Sequence, residues 1–323
     1  MRQMSLTGAA LFGLALACPM PAPAALAQAS GVHSVAITFD DLPFVHAADA
    51  GAVADPAAAL AASNTIQDAL RRHSAPATGF VNESKVENLG GTGKAIVAAW
   101  NTGLFALGNH GFSHADSNAL TVAQVQQEIV DGERTIRPLA ESAGRTLAFF
   151  RFPYNHVGDT EERRAEIEGF LDGRHYRLAA STIDTSDYLF DQAYERAIAA
   201  HDIDMQRKIE TAYLDYTREE VGYYARLNAG VMGYEPPEVM LLHLNRLNAA
   251  VIDRILTLFE GLEYRFVSLE TAQSDPAYAH PPKYATKFGP MWGYRWARER
   301  GVKVDGSVEK EPPQWLLNYA EGK

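Results

Sequence analysis

Cysteine and basic residues are both scarce in this chain of 323 residues. The single cysteine, Cys18, has no second thiol to pair with, which excludes a fold held by internal disulfides. Lysine and arginine together number 29 against 40 aspartates and glutamates, so the formal net charge is −11. Phosphate backbones and anionic lipids repel such a surface, and we therefore expect no nucleic-acid partner and no anionic membrane partner.

The N-terminus carries the three regions of an export signal. Arg2 precedes an apolar run over residues 11–17, and Ala27-Gln28-Ala29 supplies a small-x-small cleavage site. The run is too short to span a bilayer, so we expect a signal peptide over residues 1–29, no stable membrane insertion, and a periplasmic or secreted protein. The alternatives are a disordered alanine-rich tail and a lipoprotein anchored at Cys18, because residues 15–18 loosely match a lipoprotein cleavage box.

Short apolar runs alternate with longer amphipathic ones from His33 onward. Strand-like runs are expected at residues 34–39, 77–81, 104–107, 146–150, 178–183, 239–242 and 264–268. Helical spacing occupies residues 55–73, 93–101 and 121–143. Strands that alternate with helices form right-handed βαβ units and a parallel sheet. The fold class is therefore α/β, and about seven such units predict a closed or nearly closed barrel.

Two segments are additional to the strands and helices of a minimal barrel. Residues 189–228 are rich in Ala, Glu, Arg and Tyr, and they predict one long helix or a helical pair inserted late in the barrel. After Asp275 the chain becomes rich in proline and aromatic residues. We expect one domain over residues 30–274, including the insertion, and a C-terminal extension over 275–323 that packs on the barrel.

Polar residues gather where the predicted strands end. In parallel α/β barrels the functional residues lie at the carboxyl ends of the strands and on the loops that follow. Five clusters fall there: Thr38-Phe39-Asp40-Asp41, residues 109–114, Arg151-Phe152-Pro153-Tyr154, residues 184–188, and His243.

The first two of these clusters carry the residue types of a metal site. Asp40 and Asp41 end a buried strand, where two adjacent carboxylates repel unless a cation compensates them. His110 and His114 have the i, i+4 spacing that lets two imidazoles converge on one ion. Taken alone, the acidic pair could cap a turn, and the histidine spacing also occurs by chance. Two imidazoles and one carboxylate suit Zn²⁺, and would also accept Co²⁺ or Ni²⁺.

The five clusters, in this order, resemble those of the NodB-homology polysaccharide deacetylases. This family of distorted (β/α) barrels removes acetyl groups from N-acetylglucosamine polymers and, in some members, from acetylated xylan. The resemblance covers residues 34–271. It implies Asp41, His110 and His114 as metal ligands and Asp40 as the catalytic base.

The resemblance also implies the second half of the machinery. Arg151 would hold the base carboxylate, and the backbone N–H of Tyr154 would help to form the oxyanion hole. His243 would be the general acid, with Asp187 tuning its pKa. The chain departs from the family at two positions: Gly111 replaces the usual Ser or Thr, and Tyr188 replaces the usual Trp beside the tuning aspartate.

Three functions remain open from the sequence. The first is an exported, metal-dependent deacetylase that acts on poly- or oligosaccharides containing N-acetylglucosamine. The second is an esterase that removes O-acetyl groups from xylan or a similar glycan. The third is a barrel that binds an acetylated glycan without turnover.

Overall fold

The computed structural model describes residues 33–45 and 55–323. The predicted signal peptide, residues 1–29, lies outside the described residues, and so does Cys18. Among the described helices, none combines the length and the apolar character needed to cross a bilayer.

The described strands form one parallel sheet in the order β5-β4-β3-β2-β1-β6, and β7 pairs with the first residues of β1. Beyond β5, Ile183 forms a parallel bridge with Met240 of β6, so the sheet curves back on itself. The predicted distorted barrel of about seven parallel strands is confirmed. The strands are β1 Ser34–Leu42, β2 Ala77–Val81, β3 Phe105–Asn109, β4 Phe149–Phe150, β5 Arg177–Leu178, β6 Glu238–His243 and β7 Arg265–Phe266.

Helices cover the outside of this sheet. They are α1 Pro56–Arg72, α2 Glu83–Ala99, α3 Val122–Asp131, α4 Ile136–Ser142, α5 Glu161–Gly173, α6 Asp187–Ala199, α7 Ile203–Met232, α8 Arg246–Gly261, α9 Leu269–Ala272, α10 Trp292–Arg300 and α11 Gln314–Glu321.

The prediction of one continuous helix over residues 121–143 is wrong, because the chain breaks between α3 and α4. Gly132 ends α3 against the carboxyl end of β3, where a Cβ would lie 2.5 Å from Asn109 Oδ1 and 2.8 Å from the carbonyl carbon of Gly111. Only glycine leaves room for this close approach to the loop that carries His110.

The core is centred on β1, whose residues after Ser34 are all buried. A strand that is covered on both faces reads as a continuous apolar run, which is why residues 34–39 were predictable. The Phe39 ring packs edge-on against Trp100, with centroids 5.4 Å apart. Each such fully buried side chain contributes about 1.5–3 kcal/mol through the hydrophobic effect. This packing fixes the strand that delivers Asp40 and Asp41.

Residues 187–232 contain the helical pair α6 and α7; α11 packs against α6, and α10 packs against α7. Leu316 of α11 is fully buried, as are Trp292 and Trp296 of α10 to within a few per cent. The Tyr278 ring contacts both tryptophans at a tilt, with ring centroids 5.7 and 5.4 Å away. The C-terminal residues therefore add to the core. The division into a domain at 30–274 and an extension at 275–323 stays a prediction.

Candidate active site

Asp41, His110 and His114 come together at the carboxyl ends of β1 and β3. Asp41 Oδ1 lies 3.4 Å from His114 Nε2 and 3.7 Å from His110 Nε2. One ligand atom from each residue falls within 4.8 Å of the other two. Asp41 and His114 have positive φ values of 63° and 58°. Aspartate tolerates this left-handed conformation better than most residues, whereas it costs a residue such as His114 about 1–2 kcal/mol. The surrounding fold thus stabilises Asp41 and His114 in this backbone conformation.

A divalent cation fits this cluster. Asp41 Oδ1 is buried and has no hydrogen-bond partner among the described residues, although it faces both Nε2 atoms. A buried carboxylate oxygen without a partner is costly, and a cation at this point would satisfy it.

The protonation states of two of the ligands suit metal binding as well. Burial would raise the pKa of Asp41, but Lys85 and the neighbouring histidines lower it below its ordinary value, so the carboxylate is ionised. Burial lowers the pKa of His114 to about 4, despite the opposing effect of Asp41. An ionised aspartate and a neutral imidazole are the forms that bind a metal.

The His110 ring is oriented by a hydrogen bond to the backbone at Arg151. Its Nδ1 lies 2.8 Å from the carbonyl oxygen of Arg151, which can only accept, so Nδ1 carries the proton. The lone pair of Nε2 is then directed toward Asp41. Such a second hydrogen bond fixes both the tautomer and the ring orientation of metal-ligating histidines.

Glu128 of α3 braces the loop between the two histidines. Its carboxylate accepts hydrogen bonds from the backbone N–H of Phe112 at 3.1 Å and of Ser113 at 2.7 Å, and from Ser113 Oγ at 2.8 Å. Gly111 itself has a φ of 81°, a conformation that favours glycine. Ser113 and Glu128 therefore anchor the loop where a hydroxyl at position 111 is missing.

Asp40 is held by a fully buried arginine. Arg151 Nη1 donates to Asp40 Oδ1 at 2.7 Å and to Thr38 Oγ1 at 2.8 Å, and the guanidinium lies 4.3 Å above the Phe80 ring. Asp40 Oδ2 lies 3.9 Å from His110 Nε2. One carboxylate oxygen is thus fixed by the arginine, and the other lies beside the candidate metal ligands.

His243 lies next to Asp40 because β1 and β6 pair in the register Asp40↔His243. Its Nδ1 contacts Asp187 Oδ1 at 2.7 Å, and its backbone N–H donates to Asp187 Oδ2, also at 2.7 Å. Asn248 adds a hydrogen bond to the same carboxylate and another to His243 O. Burial lowers the pKa of His243, but Asp187 more than offsets this and raises it to about 10. The imidazolium form is therefore present at neutral pH.

Six of the eight predicted site residues line one cavity of about 410 Å³: Asp40, Asp41, His110, His114, Tyr154 and His243. The other two, Arg151 and Asp187, lie behind this wall and hold Asp40 and His243. The Tyr154 ring stands edge-on to His114, with centroids 4.7 Å apart, and is 56% exposed. Tyr188 lines the same cavity, with its ring centroid 6.5 Å from that of His243.

Sequence reasoning missed several residues of the site. Glu128 and Asn248 lie on helices whose spacing shows only which face is apolar, so their contacts had no local signal. Asp184 lines the cavity and belongs to the polar cluster at residues 184–188, but the sequence pattern assigned no role to this residue. Gly289 and Met291 also line the cavity, although they come from the C-terminal segment. A contact so distant in sequence leaves no pattern in either segment.

The fold and the site together define an α/β barrel with a candidate metal centre at the carboxyl ends of its strands. The family model described as polysaccharide deacetylase matches residues 27–169, a segment that includes Asp40, Asp41, His110, His114, Arg151 and Tyr154. Over this segment, which is less than half of the chain, the resemblance to the polysaccharide deacetylases is confirmed. A search of curated proteins gave no match.

Three solved structures illustrate what this chain is similar to. A CE4-family pseudoenzyme from Bacillus anthracis aligns with a TM-score of 0.50 and 15% identity, over 74% of this chain and 64% of that one. The peptidoglycan deacetylase PdaC from Bacillus subtilis aligns with a TM-score of 0.47 and 21% identity, over 75% and 92% of the two chains. A family 4 carbohydrate esterase from Streptomyces lividans gives 0.47 and 18%, over 74% and 95%. This chain therefore spans about 64% of the pseudoenzyme's length.

Proposed function

We propose that the protein is an exported, metal-dependent deacetylase that hydrolyses acetyl groups on poly- or oligosaccharides containing N-acetylglucosamine. One observation carries the proposal: the unsatisfied Asp41 Oδ1 faces two histidines beside an arginine-held Asp40 and opposite His243. A metal site, a base and an acid thus share one cavity. The export signal predicted over residues 1–29 supports a substrate outside the cytoplasm.

Asp41, His110 and His114 would hold the metal, with Zn²⁺ as the expected ion and Co²⁺ or Ni²⁺ as alternatives. When bound, such an ion polarises an acetyl carbonyl and makes a water molecule easier to deprotonate. Asp40 takes the proton of that water as its oxygen attacks the carbonyl carbon. The Arg151 guanidinium keeps Asp40 ionised and oriented for this step.

The C–N bond then breaks, and the sugar nitrogen needs a proton to leave as an amine. His243 donates this proton, because Asp187 keeps it in the imidazolium form and Asn248 fixes the Asp187 carboxylate. The products are acetate and a free amino sugar. The Tyr154 backbone N–H is the proposed oxyanion donor, an interaction typically worth about 2.7–4 kcal/mol in the transition state.

Acetate release from N-acetylglucosamine oligomers should stop when the protein is treated with a chelator and return when zinc is added. The physical reason is that the ion held by the three ligands would supply the polarisation of the acetyl carbonyl. Acetate is measured with and without chelator, with zinc and cobalt restored in separate samples. Acetate release that is unaffected by the chelator would contradict the proposal. A protein that binds the oligomers but releases no acetate with any added ion would instead be a glycan-binding barrel.

Substituting His243→Ala should reduce amide hydrolysis by roughly 10²–10⁴-fold and reduce ester hydrolysis much less, since an alkoxide leaves more easily than an amine. Acetate release is compared on N-acetylglucosamine oligomers and on O-acetylated xylan. The exposed His175 serves as a matched control, and His175→Ala should change neither rate. Equal losses on both substrates would contradict the role of His243 as acid. Wild-type activity confined to the ester would favour the xylan-type esterase.

A further inference from the structure

A segment of the C-terminal extension lies against the loop that carries Tyr154. We call residues 284–295 the strap. It includes Gly289 and Met291, which line the catalytic cavity together with Tyr154 and Asn155. The strap lies outside residues 27–169, where the family model matches. One wall of the cavity is thus built from a part of the chain that the family match does not reach.

Arg295 joins the strap to the Tyr154 loop. The side chain is buried, and all three of its nitrogen groups donate to backbone carbonyls. Nε contacts Pro290 O at 3.0 Å and Nη1 contacts Tyr284 O at 3.2 Å, which closes the strap on itself. Nη2 contacts Asn155 O at 2.8 Å, which crosses to the loop. Only a guanidinium presents donors in a rigid planar fork of this kind.

Gly289 makes the closest approach between the two segments. A Cβ at this position would lie 1.7 Å from Tyr154 O and 2.9 Å from the Tyr154 carbonyl carbon. Real Cβ atoms do not come so near to backbone, so any side chain here would displace Tyr154. Lack of space, therefore, is what requires glycine at this position.

Ser181 makes two further hydrogen bonds, one to the loop and one to the strap. Ser181 Oγ donates to Asn155 Oδ1 at 2.9 Å, and the backbone N–H of Trp292 donates to Ser181 O at 2.9 Å. Ser181 thus contacts the loop with its side chain and the strap with its carbonyl. The strap, the barrel and the loop form one connected set of contacts.

The Tyr154 loop has a conformation that needs such support. Tyr154 and Asn155 have φ values of 58° and 53°, so two consecutive non-glycine residues are left-handed. The left-handed form costs a residue such as Tyr154 about 1–2 kcal/mol relative to the right-handed form, whereas asparagine tolerates it better. Strained backbone of this kind persists only where surrounding contacts over-determine it.

We propose that Arg295 and Gly289 are positioning residues for the active site: the strap holds Tyr154 and Asn155 in their left-handed conformation and so fixes one wall of the substrate cavity. The kinetic part of this inference rests on the proposed deacetylase function. The structural part does not, because it concerns the loop alone.

The test uses the full chain with zinc and three substitutions: Arg295→Met, Arg295→Lys and Gly289→Ala. Hydrogen exchange is followed at the amides of Asn155 and His156, which donate to Phe152 O and Pro153 O. Arg295→Met and Gly289→Ala should speed this exchange at least tenfold and lower kcat for acetate release by about 10- to 100-fold, since a displacement of about 1 Å can cost 10²-fold. Zinc affinity should be unchanged, because no ligand lies in the strap. Arg295→Lys, with one compact donor group, should be intermediate.

Matched controls come from the same helix and from a glycine with free space. Arg300→Met changes an exposed arginine of α10, and Gly169→Ala adds a methyl that meets no described atom within 4 Å. Neither substitution should alter hydrogen exchange in the loop or kcat.

Unchanged exchange in both Arg295→Met and Gly289→Ala, or faster exchange with full kcat, would overturn the inference. If Arg295→Met does not fold, the exchange and kcat of Gly289→Ala and Arg295→Lys test the inference instead. If the wild-type protein releases no acetate, the proposed function fails, while the exchange data still decide whether the strap holds the loop.

Discussion

Substituting Asp41→Ala is expected to abolish zinc binding and, with it, acetate release. Asp41 supplies the only carboxylate of the candidate ligand set, and its Oδ1 is the atom that lies close to both imidazoles. Loss of an outer-shell partner already weakens metal affinity by about 10–100-fold, so loss of a direct ligand should exceed about 100-fold. Lewis-acid assistance worth several kcal/mol corresponds to a fall in turnover of about 10³-fold.

Calorimetry with zinc and the shift of the melting temperature on zinc addition measure this effect without relying on turnover. Asp40→Asn is the informative partner variant, because it should keep zinc binding and lose acetate release. Asp184→Ala changes another carboxylate of the same cavity and should keep zinc binding as well. Tight zinc binding by Asp41→Ala would remove Asp41 from the ligand set. Loss of zinc binding in Asp40→Asn would mean that Asp40, rather than acting as a free base, is itself a ligand.

Substituting Arg151→Met should cost about 3–5 kcal/mol of folding free energy, the range for removing one partner of a buried ion pair. Both side chains are buried, with Arg151 1% and Asp40 3% exposed. Without the guanidinium, Asp40 Oδ1 and Thr38 Oγ1 lose a donor, and the carbonyl of Ala180 loses its contact with Nη2. The remaining carboxylate is then an uncompensated charge in a low-dielectric site.

Urea unfolding measures this loss, with chelator present so that bound metal does not contribute. The double variant Asp40→Asn with Arg151→Met should recover part of the stability, because it removes the unpaired charge together with its partner. The exposed Arg134 pairs with Glu87 and Asp131 at the surface, and Arg134→Met should leave the unfolding midpoint unchanged. Equal destabilisation by the double and single variants would mean that packing against Phe80, and not charge pairing, explains the loss.

The sequence predicted most reliably those elements whose signal is local. Strands β1, β2 and β6 are buried almost throughout and each contains a run of apolar residues, and their predicted positions match closely. Strands β4, β5 and β7 pair over only two residues each, although runs of five or six residues were predicted. Apolar runs mark burial, but they do not show where the ladder of hydrogen bonds ends in a distorted barrel.

Periodicity did not show the break between α3 and α4, and it did not show the close approach of Gly132 to the loop that carries His110, which is a tertiary contact. The same reason accounts for the strap. Arg295 contacts Asn155, and Gly289 contacts Tyr154, across more than a hundred residues of sequence. The motif residues themselves were predictable because each follows a strand. Their supports, such as Glu128 and Asn248, depend on tertiary packing alone.

The register between β1 and β6 has a consequence for how a barrel of this kind can change over time. Asp40 and His243 occupy paired positions on neighbouring parallel strands, which lie about 4.8 Å apart in any sheet. The distance between them is therefore set by backbone pairing and is independent of the chain that connects them. Helix α6 lies within that connection and contributes Tyr188 to the cavity wall. Its length and surface can be altered, and the spacing between Asp40 and His243 is left unchanged.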